Sequence, residues 1–432
     1  MSAIKVFGTH DDNTIKQLMT CVEAEPDARG VLCADGHLGY SMPIGGVVAY
    51  RDHISPSGVG YDIGCGNYAV KTNIRYADVE PDAERIATEI QRRISFGVGR
   101  VNDERVDLSL PIFDRIARSP VLEQVSWLQL ATNQFGTVGS GNHYVDVLID
   151  LDGWLWVACH FGSRGFGHKT ASMFMNLAQG MPALEKSHDG EMMSPPLLIP
   201  TATELGQDYI EAMTIAGEYA YAGRDYVVKK VVSMLGAQIV DEVHNHHNFA
   251  WAEKHFGNKY WVVRKGATPA FPGQRGFIGG SMGDICVIVS GKLTELAEVG
   301  LFSTVHGAGR VLSRTAAIKG KHEWRCVNGC QTNAQLSSVP GAWPPKDLKC
   351  PLHRTPLEKF QIQAPVDFQA VQEKMKERGV ILRGAGPDEA PQVYRSLPDV
   401  LNAHVGTIDV ETYMLPRIVV MAGKEVKDPY KD

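Results

Sequence analysis

The sequence predicts one large α+β domain, with the working site gathered where strands run into glycine-rich loops. Three observations carry that expectation. Strand-like runs recur along the whole chain, and nearly every one abuts a segment rich in Gly, His and polar residues. No internal repeat, low-complexity tract or linker divides residues 1–432. Strands that end in such loops are how mixed folds bring distant side chains together. Residues 82–94 carry Ile86, Ile90 and Ile94 at spacing four, the period of an amphipathic helix. A longer helical region is expected over 204–235, broken near Gly223. Strands are expected at 45–50, 68–74, 143–149, 154–159, 260–263 and 285–289. The segment 322–356 stands apart. Between Cys326 and His353 it is rich in Pro, Asn and Lys and has little periodicity, so it reads as a small Cys-containing insertion on the surface.

Composition narrows the function classes. An apolar content of 44% and a charged content of 21% are ordinary for a globular protein. The N-terminus has no apolar signal-like stretch and no run approaches a membrane span, so a cytoplasmic home and no membrane partner are expected. The eight cysteines are scattered, which suits reduced thiols or metal ligands better than a disulfide framework. A net charge of -6 means that any nucleic acid must be held by a local basic groove.

Two constellations carry chemistry. In the first, Asp62-Ile-Gly-Cys65 places a carboxylate and a thiol three residues apart on a glycine-loosened backbone. His143, His160 and the cluster His244, His246 and His247 follow at strand ends or polar turns, with one member of that cluster expected as a ligand. Any one of these is more often a satisfied core or surface residue. Together, imidazole, thiolate and carboxylate suit a borderline transition metal, and more than four donors would accommodate two ions. The second constellation is Asn142, Arg164, Arg264-Lys-Gly266, Gly279-Gly-Ser-Met-Gly283 and His306-Gly-Ala-Gly-Arg310. Glycine turns let backbone N–H groups approach phosphate oxygens, and arginines offer permanently charged planar donors. Residues 310–317 look helical, which would set His306 just ahead of a helix N-terminus.

Taken in order, these motifs resemble the RtcB family of RNA ligases. The resemblance runs from Asp35-Gly-His-Leu-Gly39 through Asp62-Ile-Gly-Cys65, Gly141-Asn-His143, His160-Phe-Gly-Ser-Arg164, His247-Asn248, Arg264-Lys-Gly-Ala267, Gly280-Ser-Met-Gly283 and His306-Gly-Ala-Gly-Arg310 to Glu389-Ala-Pro391. It implies a single α+β domain of the family's own type. It also implies joining of an RNA 3′-phosphate or 2′,3′-cyclic phosphate to a 5′-hydroxyl, with GTP and two manganese ions. By the same resemblance Asp62, Cys65, His143, His160 and His247 are the manganese ligands, with Cys65 bridging. His306 takes up the nucleotide and Asp35 orients it. Asn142, Asp146, Arg164, Ser281, Met282, Cys286, Gly307, Ala308, Gly309 and Arg310 fall at nucleotide positions, and Arg264 and Lys265 at RNA or phosphate contacts.

The chain departs from the family where the base is read. Asp146 stands where the family has a longer glutamate, Cys286 replaces a serine, and Ala422 occupies the place of a lysine in the family's C-terminal tail, with Lys424 and residues to Asp432 beyond it. Val305 and Gly279 replace a small polar residue and a proline. Altered base selection is therefore expected. Two other functions compete with sealing: a paralogue that caps or hydrolyses RNA 3′ ends, and an RNA-binding module with a degenerate site. A complete ligand set and His306 weigh against the latter. In the insertion, Cys326-x3-Cys330 and Cys350-x2-His353 have the spacing of a small structural zinc site, with free thiols as the bland alternative.

Overall fold

The computed structural model describes residues 4–123, 127–185, 192–329, 349–350, 352–355 and 357–424. Helix and strand are interleaved along the chain at 34% each, as expected for an α+β domain. The larger sheet is ordered Arg275–Ile278, Cys286–Gly291, Ile408–Gly423, Tyr144–Asp150, Trp154–Phe161, Gly66–Arg75, Ile239–His246, with Ile381–Ala385 pairing parallel to Ile408–Gly423. Its two ends approach each other through side-chain amides, from Ile239–His246 and its neighbour Gly66–Arg75 to Arg275–Ile278. Asn67 Nδ2 donates to the carbonyl of Phe277 at 3.0 Å, and the Phe277 N–H donates to Asn245 Oδ1 at 3.1 Å. The sheet is thus nearly a closed barrel, and its exposed edges are few. The second sheet orders Ile4–Val6, Arg29–His37, Ile44–Tyr50, Asn258–Lys265 and Asn248–His255.

Continuous apolar runs explain the central strands. Val145, Val147, Leu155, Val157 and Tyr68 face a core shared with Ile86 and Ile90 of the helix Ala83–Arg93 and with Val227 and Val231 of the helix Glu204–Met234. The opposite side chains, Leu148, Trp156, Ala158, Phe277 and Ile288, fill the inside of the curved sheet. A strand buried on both faces should read as a nearly continuous apolar run, and Tyr144–Asp150 and Trp154–Phe161 do so apart from Asp146 and His160 near the site and the terminal Asp150.

Three expectations change. The helix Glu204–Met234 runs unbroken through Gly223. That glycine lies against the helix's buried face, where an added Cβ would meet the Phe161 ring at 3.5 Å. Residues 307–313 are not helical. Arg310 bridges Tyr394, and the short helix Arg314–Lys319 starts only after Ser313, whose hydroxyl accepts from the Ala316 N–H. His306 therefore follows the strand Ser303–Val305 and does not precede a helix N-terminus. The strands Arg29–His37, Ile239–His246, Asn248–His255 and Ile408–Gly423 were not foreseen. Their glycine, charge and histidine content breaks the alternation that marks a strand. Among the described residues no helix is long and apolar enough to cross a membrane.

Candidate active site

The register of the large sheet puts the ligand-type residues at one end. Tyr144 pairs with His160, and Gly66 pairs with both Phe161 and His246. Residues just before or after those positions, Cys65, His143 and His247, must then be neighbours of His160. The Cys65 sulfur lies 3.2 Å from His160 Nε2 and 3.6 Å from His143 Nε2. His143 Nε2 is 3.2 Å from Asp62 Oδ2. The His247 ring stands 4.9 Å from those of both His160 and His306. A close approach fixes the loop: a Cβ on Gly162 would fall 2.2 Å from Asp62 Oδ1, so a side chain there would expel the carboxylate.

The electrostatics of these groups suit a cation. Burial would raise the Asp62 carboxyl, but hydrogen bonding and charge from His143, with Arg164 beyond, hold it below the ordinary carboxylate range. Burial, and after it the charge of His143, keeps His160 neutral; burial and the charge of His306 do the same for His247. Each neutral ring offers a lone pair. Burial and the Asp62 charge push the Cys65 thiol up, so its thiolate needs a positive partner. His247 Nδ1 is buried with no hydrogen-bond partner among the described residues, an orphan that a metal would satisfy. The residues fit a transition metal, with Cys65, His143 and His160 converging most tightly.

His306 sits at the margin of this cluster. Its Nδ1 is 2.6 Å from Oδ2 of fully buried Asp35, and the same oxygen accepts the backbone N–H groups of His306 and Gly307 at 3.0 and 3.3 Å. Burial would raise the Asp35 carboxyl, yet the charge and hydrogen bonds of His306 hold it below its usual value. An ionised carboxylate only accepts, so Nδ1 carries a proton, and in the neutral ring the lone pair is then on Nε2. Gly309 makes this approach feasible. Its φ is +75°, and a Cβ there would lie 2.2 Å from the Asp35 carbonyl.

One cleft of about 1850 Å³ takes in Asp62, Cys65, His143, His160, His247 and His306. Asn142, Asp146, Ser281, Met282, Gly307, Ala308, Gly309, Arg310 and Lys265 line it too. Arg310 is already committed, donating to Tyr394 Oη at 2.9 Å, the Asp388 carbonyl at 2.8 Å and the Leu312 carbonyl at 3.2 Å. Lys265 donates to the carbonyls of Tyr40 at 2.6 Å and Ser57 at 3.3 Å, and burial lowers its pKa to about 8. Arg164 is outside the cleft lining, its Nη1 3.3 Å from His143 Nδ1.

Besides Arg164, two expected contacts are not in the cleft lining. Arg264 is fully buried, paired in a fork with Glu253 at 2.6 and 3.1 Å and bonded to Ser303. Cys286 is buried behind Tyr144 and Asp146, where burial pushes its thiol up. Ala422 is likewise outside the lining, which takes Val419 and Met421 from the same strand. Cys326, Cys350 and His353 cluster together away from the Cys65 group, and Cys330 lies outside the described residues.

Other residues here were not singled out from the sequence. Arg224 is fully buried and holds His244 through Nε at 3.0 Å and His246 through Nη2 at 3.0 Å, which explains why those two histidines do not face the ligands. An arginine on the apolar stripe of a helix, between Ala220 and Val227, was the available signal. Tyr144, whose buried hydroxyl has no partner among the described residues, shares the wall with Asp146. Its sequence context gave no such signal.

Residues 22–336 match the family model described as tRNA-splicing ligase RtcB. The chain is 33% identical over 310 residues to RNA-splicing ligase RtcB of Escherichia coli strain K12, covering 66% of this chain and 74% of that protein. It is 30% identical to tRNA-splicing ligase RtcB of Pyrobaculum aerophilum, covering 86% and 83%, and 31% identical to that of Thermococcus kodakarensis, covering 67% and 74%.

Proposed function

The chain belongs to the RtcB family of RNA ligases, and from that premise we propose that it seals RNA through a nucleotide adduct on His306. The substrates are an RNA end bearing a 3′-phosphate or 2′,3′-cyclic phosphate and an end bearing a 5′-hydroxyl. GTP supplies the activating group. The observation that carries this reading is the pairing of His306 Nδ1 with buried Asp35 at 2.6 Å, beside the His247 ring.

The chemistry follows from that tautomer. The Nε2 lone pair attacks the α-phosphorus of GTP, the bond to pyrophosphate breaks, and the proton stays on Nδ1 under the Asp35 carboxylate. An oxygen of the RNA 3′-phosphate then attacks the adduct phosphorus and Nε2 leaves with its lone pair. Finally the 5′-hydroxyl attacks the activated 3′-phosphorus and GMP departs. Asp62, Cys65, His143, His160 and His247 would hold manganese, which neutralises charge on the transferring phosphates and aligns them in line. The Gly307–Gly309 turn, beyond the Gly307 N–H given to Asp35, and the Asn142 amide would orient phosphate oxygens.

Base choice is the finer part. Burial alone raises the Asp146 carboxyl well above its usual value, and Oδ1 has no partner among the described residues. A neutral carboxyl offers one donor and one acceptor, whereas an ionised one accepts twice and so rewards guanine's adjacent donors. We therefore expect discrimination between GTP and ATP to be weaker than a carboxylate would give. Sealing is tested on a labelled RNA with a 3′-phosphate and a 5′-hydroxyl, given manganese and GTP. A joined product supports the ligase. Capped or dephosphorylated ends without joining would favour the non-sealing alternative.

A further inference from the structure

Among the described residues, the hairpin formed by Lys321–Cys326 and Leu357–Gln363 has too small a core to stand on its own. The strands pair antiparallel from Lys321 with Gln363 to Cys326 with Leu357. Most side chains of Leu357–Gln363 are exposed. The buried cluster at the far end consists of Cys326, Cys350 and Leu357, with Trp324 packed against it. A two-stranded ribbon is marginal in water. Burying these three side chains stabilises less than ordering the ribbon costs. Small units that lack a core are held by another device, commonly a disulfide or a metal.

The far end has the geometry of a metal site. Cys326 ends the first strand, and the Gly329 N–H turns back onto its carbonyl at 2.9 Å. The Cys350 loop is closed by the Arg354 N–H on the Cys350 carbonyl at 2.7 Å and by the Cys350 N–H on the Thr355 carbonyl at 2.8 Å. His353 Nδ1 then stands 3.3 Å from the Cys326 sulfur and 3.7 Å from the Cys350 sulfur. Tetrahedral zinc with ordinary bond lengths sets sulfur and nitrogen ligands about 3.5 Å apart. One ring nitrogen has a single lone pair or a single N–H and cannot serve two thiols equally by hydrogen bonding. A cation between the three atoms can. The His353 N–H also donates to the Cys350 sulfur at 3.4 Å, a bond that favours a thiolate. Both cysteines are nine-tenths buried or more and neither is in a disulfide.

We propose that Cys326, Cys350 and His353 bind one zinc ion that clamps this hairpin, separately from the Asp62–Cys65 group. Two thiolates and an imidazole select zinc over manganese. The site does not depend on the ligase reading, since its test reads metal content. Wild type, Cys326→Ser/Cys350→Ser and Cys65→Ser/His160→Ala are produced in zinc-supplemented medium, purified with reductant throughout, and analysed for zinc by mass spectrometry. The proposal expects about one zinc per chain to persist in Cys65→Ser/His160→Ala and to be lost from Cys326→Ser/Cys350→Ser. Zinc unchanged in the latter, or absent from the former, would overturn it. If Cys326→Ser/Cys350→Ser does not fold, cobalt loading of Cys65→Ser/His160→Ala decides. Visible bands of tetrahedral cobalt with thiolate charge transfer are expected, and their absence would overturn the site. So would a Cys326–Cys350 disulfide in the reduced preparation.

Discussion

At the scale of single residues, the site was legible where chemistry is tied to spacing. Asp62 and Cys65 share one glycine-rich turn, and His143 and His160 each stand at the end of an apolar run, so all four could be placed by eye. Arg264 shows the limit. Its sequence neighbours suggested a phosphate contact, yet Glu253 and Ser303 claim it, and nothing local reveals a partner eleven or more residues away. Cys65→Ser is expected to lower metal content and to reduce nucleotide transfer by more than about 100-fold, beyond the loss of an outer supporting group. Circular dichroism should be unchanged, because Cys65, though buried, belongs to none of the apolar core clusters. Full activity with normal metal content in this variant would sink the assignment. For Asp146, covalent labelling by the four triphosphates at equal concentration should show ATP within about 100-fold of GTP, since a pocket lacking a full set of polar partners rejects weakly. Labelling by GTP alone would mean that other groups read guanine.

At the scale of elements, strands with uniform apolar character were foreseen and irregular ones were not. Tyr144–Asp150 and Trp154–Phe161 announce themselves, while Ile239–His246 hides a strand behind charge and histidine. The supposed helix after His306 failed because Arg310 is tied to Tyr394 and Asp388, contacts that override local propensity. The zinc-clamped hairpin has a consequence for RNA, given the ligase reading. Lys321, Trp324 and Lys359 of its strands line the same cleft as His306. Basic and aromatic side chains there would support an RNA strand through phosphate attraction and stacking. Cys326→Ser/Cys350→Ser is expected to raise the KM for RNA about tenfold, the loss of one stacking contact, with nucleotide labelling of His306 unchanged. An unaltered KM in a folded, zinc-free variant would show that the hairpin does not touch substrate.

At the scale of the whole molecule, the fold concentrates buried histidines that must stay neutral. Burial lowers His404 to about 4, and its Nε2 accepts the Ala34 N–H at 3.2 Å, a bond that protonation would destroy. Burial is also the first cause of the lowering of His37 to about 4, and of His244 and His246 to below the usual range. The unfolded chain takes up these protons near pH 6.5, and the folded one only near pH 4 or below. Unfolded protein therefore binds more protons in that window, and stability rises with pH across it. The contribution is whole above pH 6.5 and is lost as pH falls toward 4, with His404 alone worth about 3 kcal/mol. Thermal melts of metal-free protein should show a falling Tm from pH 7 to pH 4.5, and a flat profile would contradict this. The resemblance in ordered motifs made the single α+β domain legible. The near-closure of the sheet was not, because it depends on Asn67 and Asn245 meeting Phe277 across the barrel.

His306 is proposed as the group that carries the nucleotide, and intact-mass analysis with peptide mapping tests this most directly. After incubation with manganese and GTP, wild type should gain the mass of one GMP, acid-labile and mapped to His306. His306→Ala should bind metal and show no adduct, yet still seal RNA supplied with a pre-activated 3′ end. An adduct on another residue, or one that persists in His306→Ala, would contradict the mechanism.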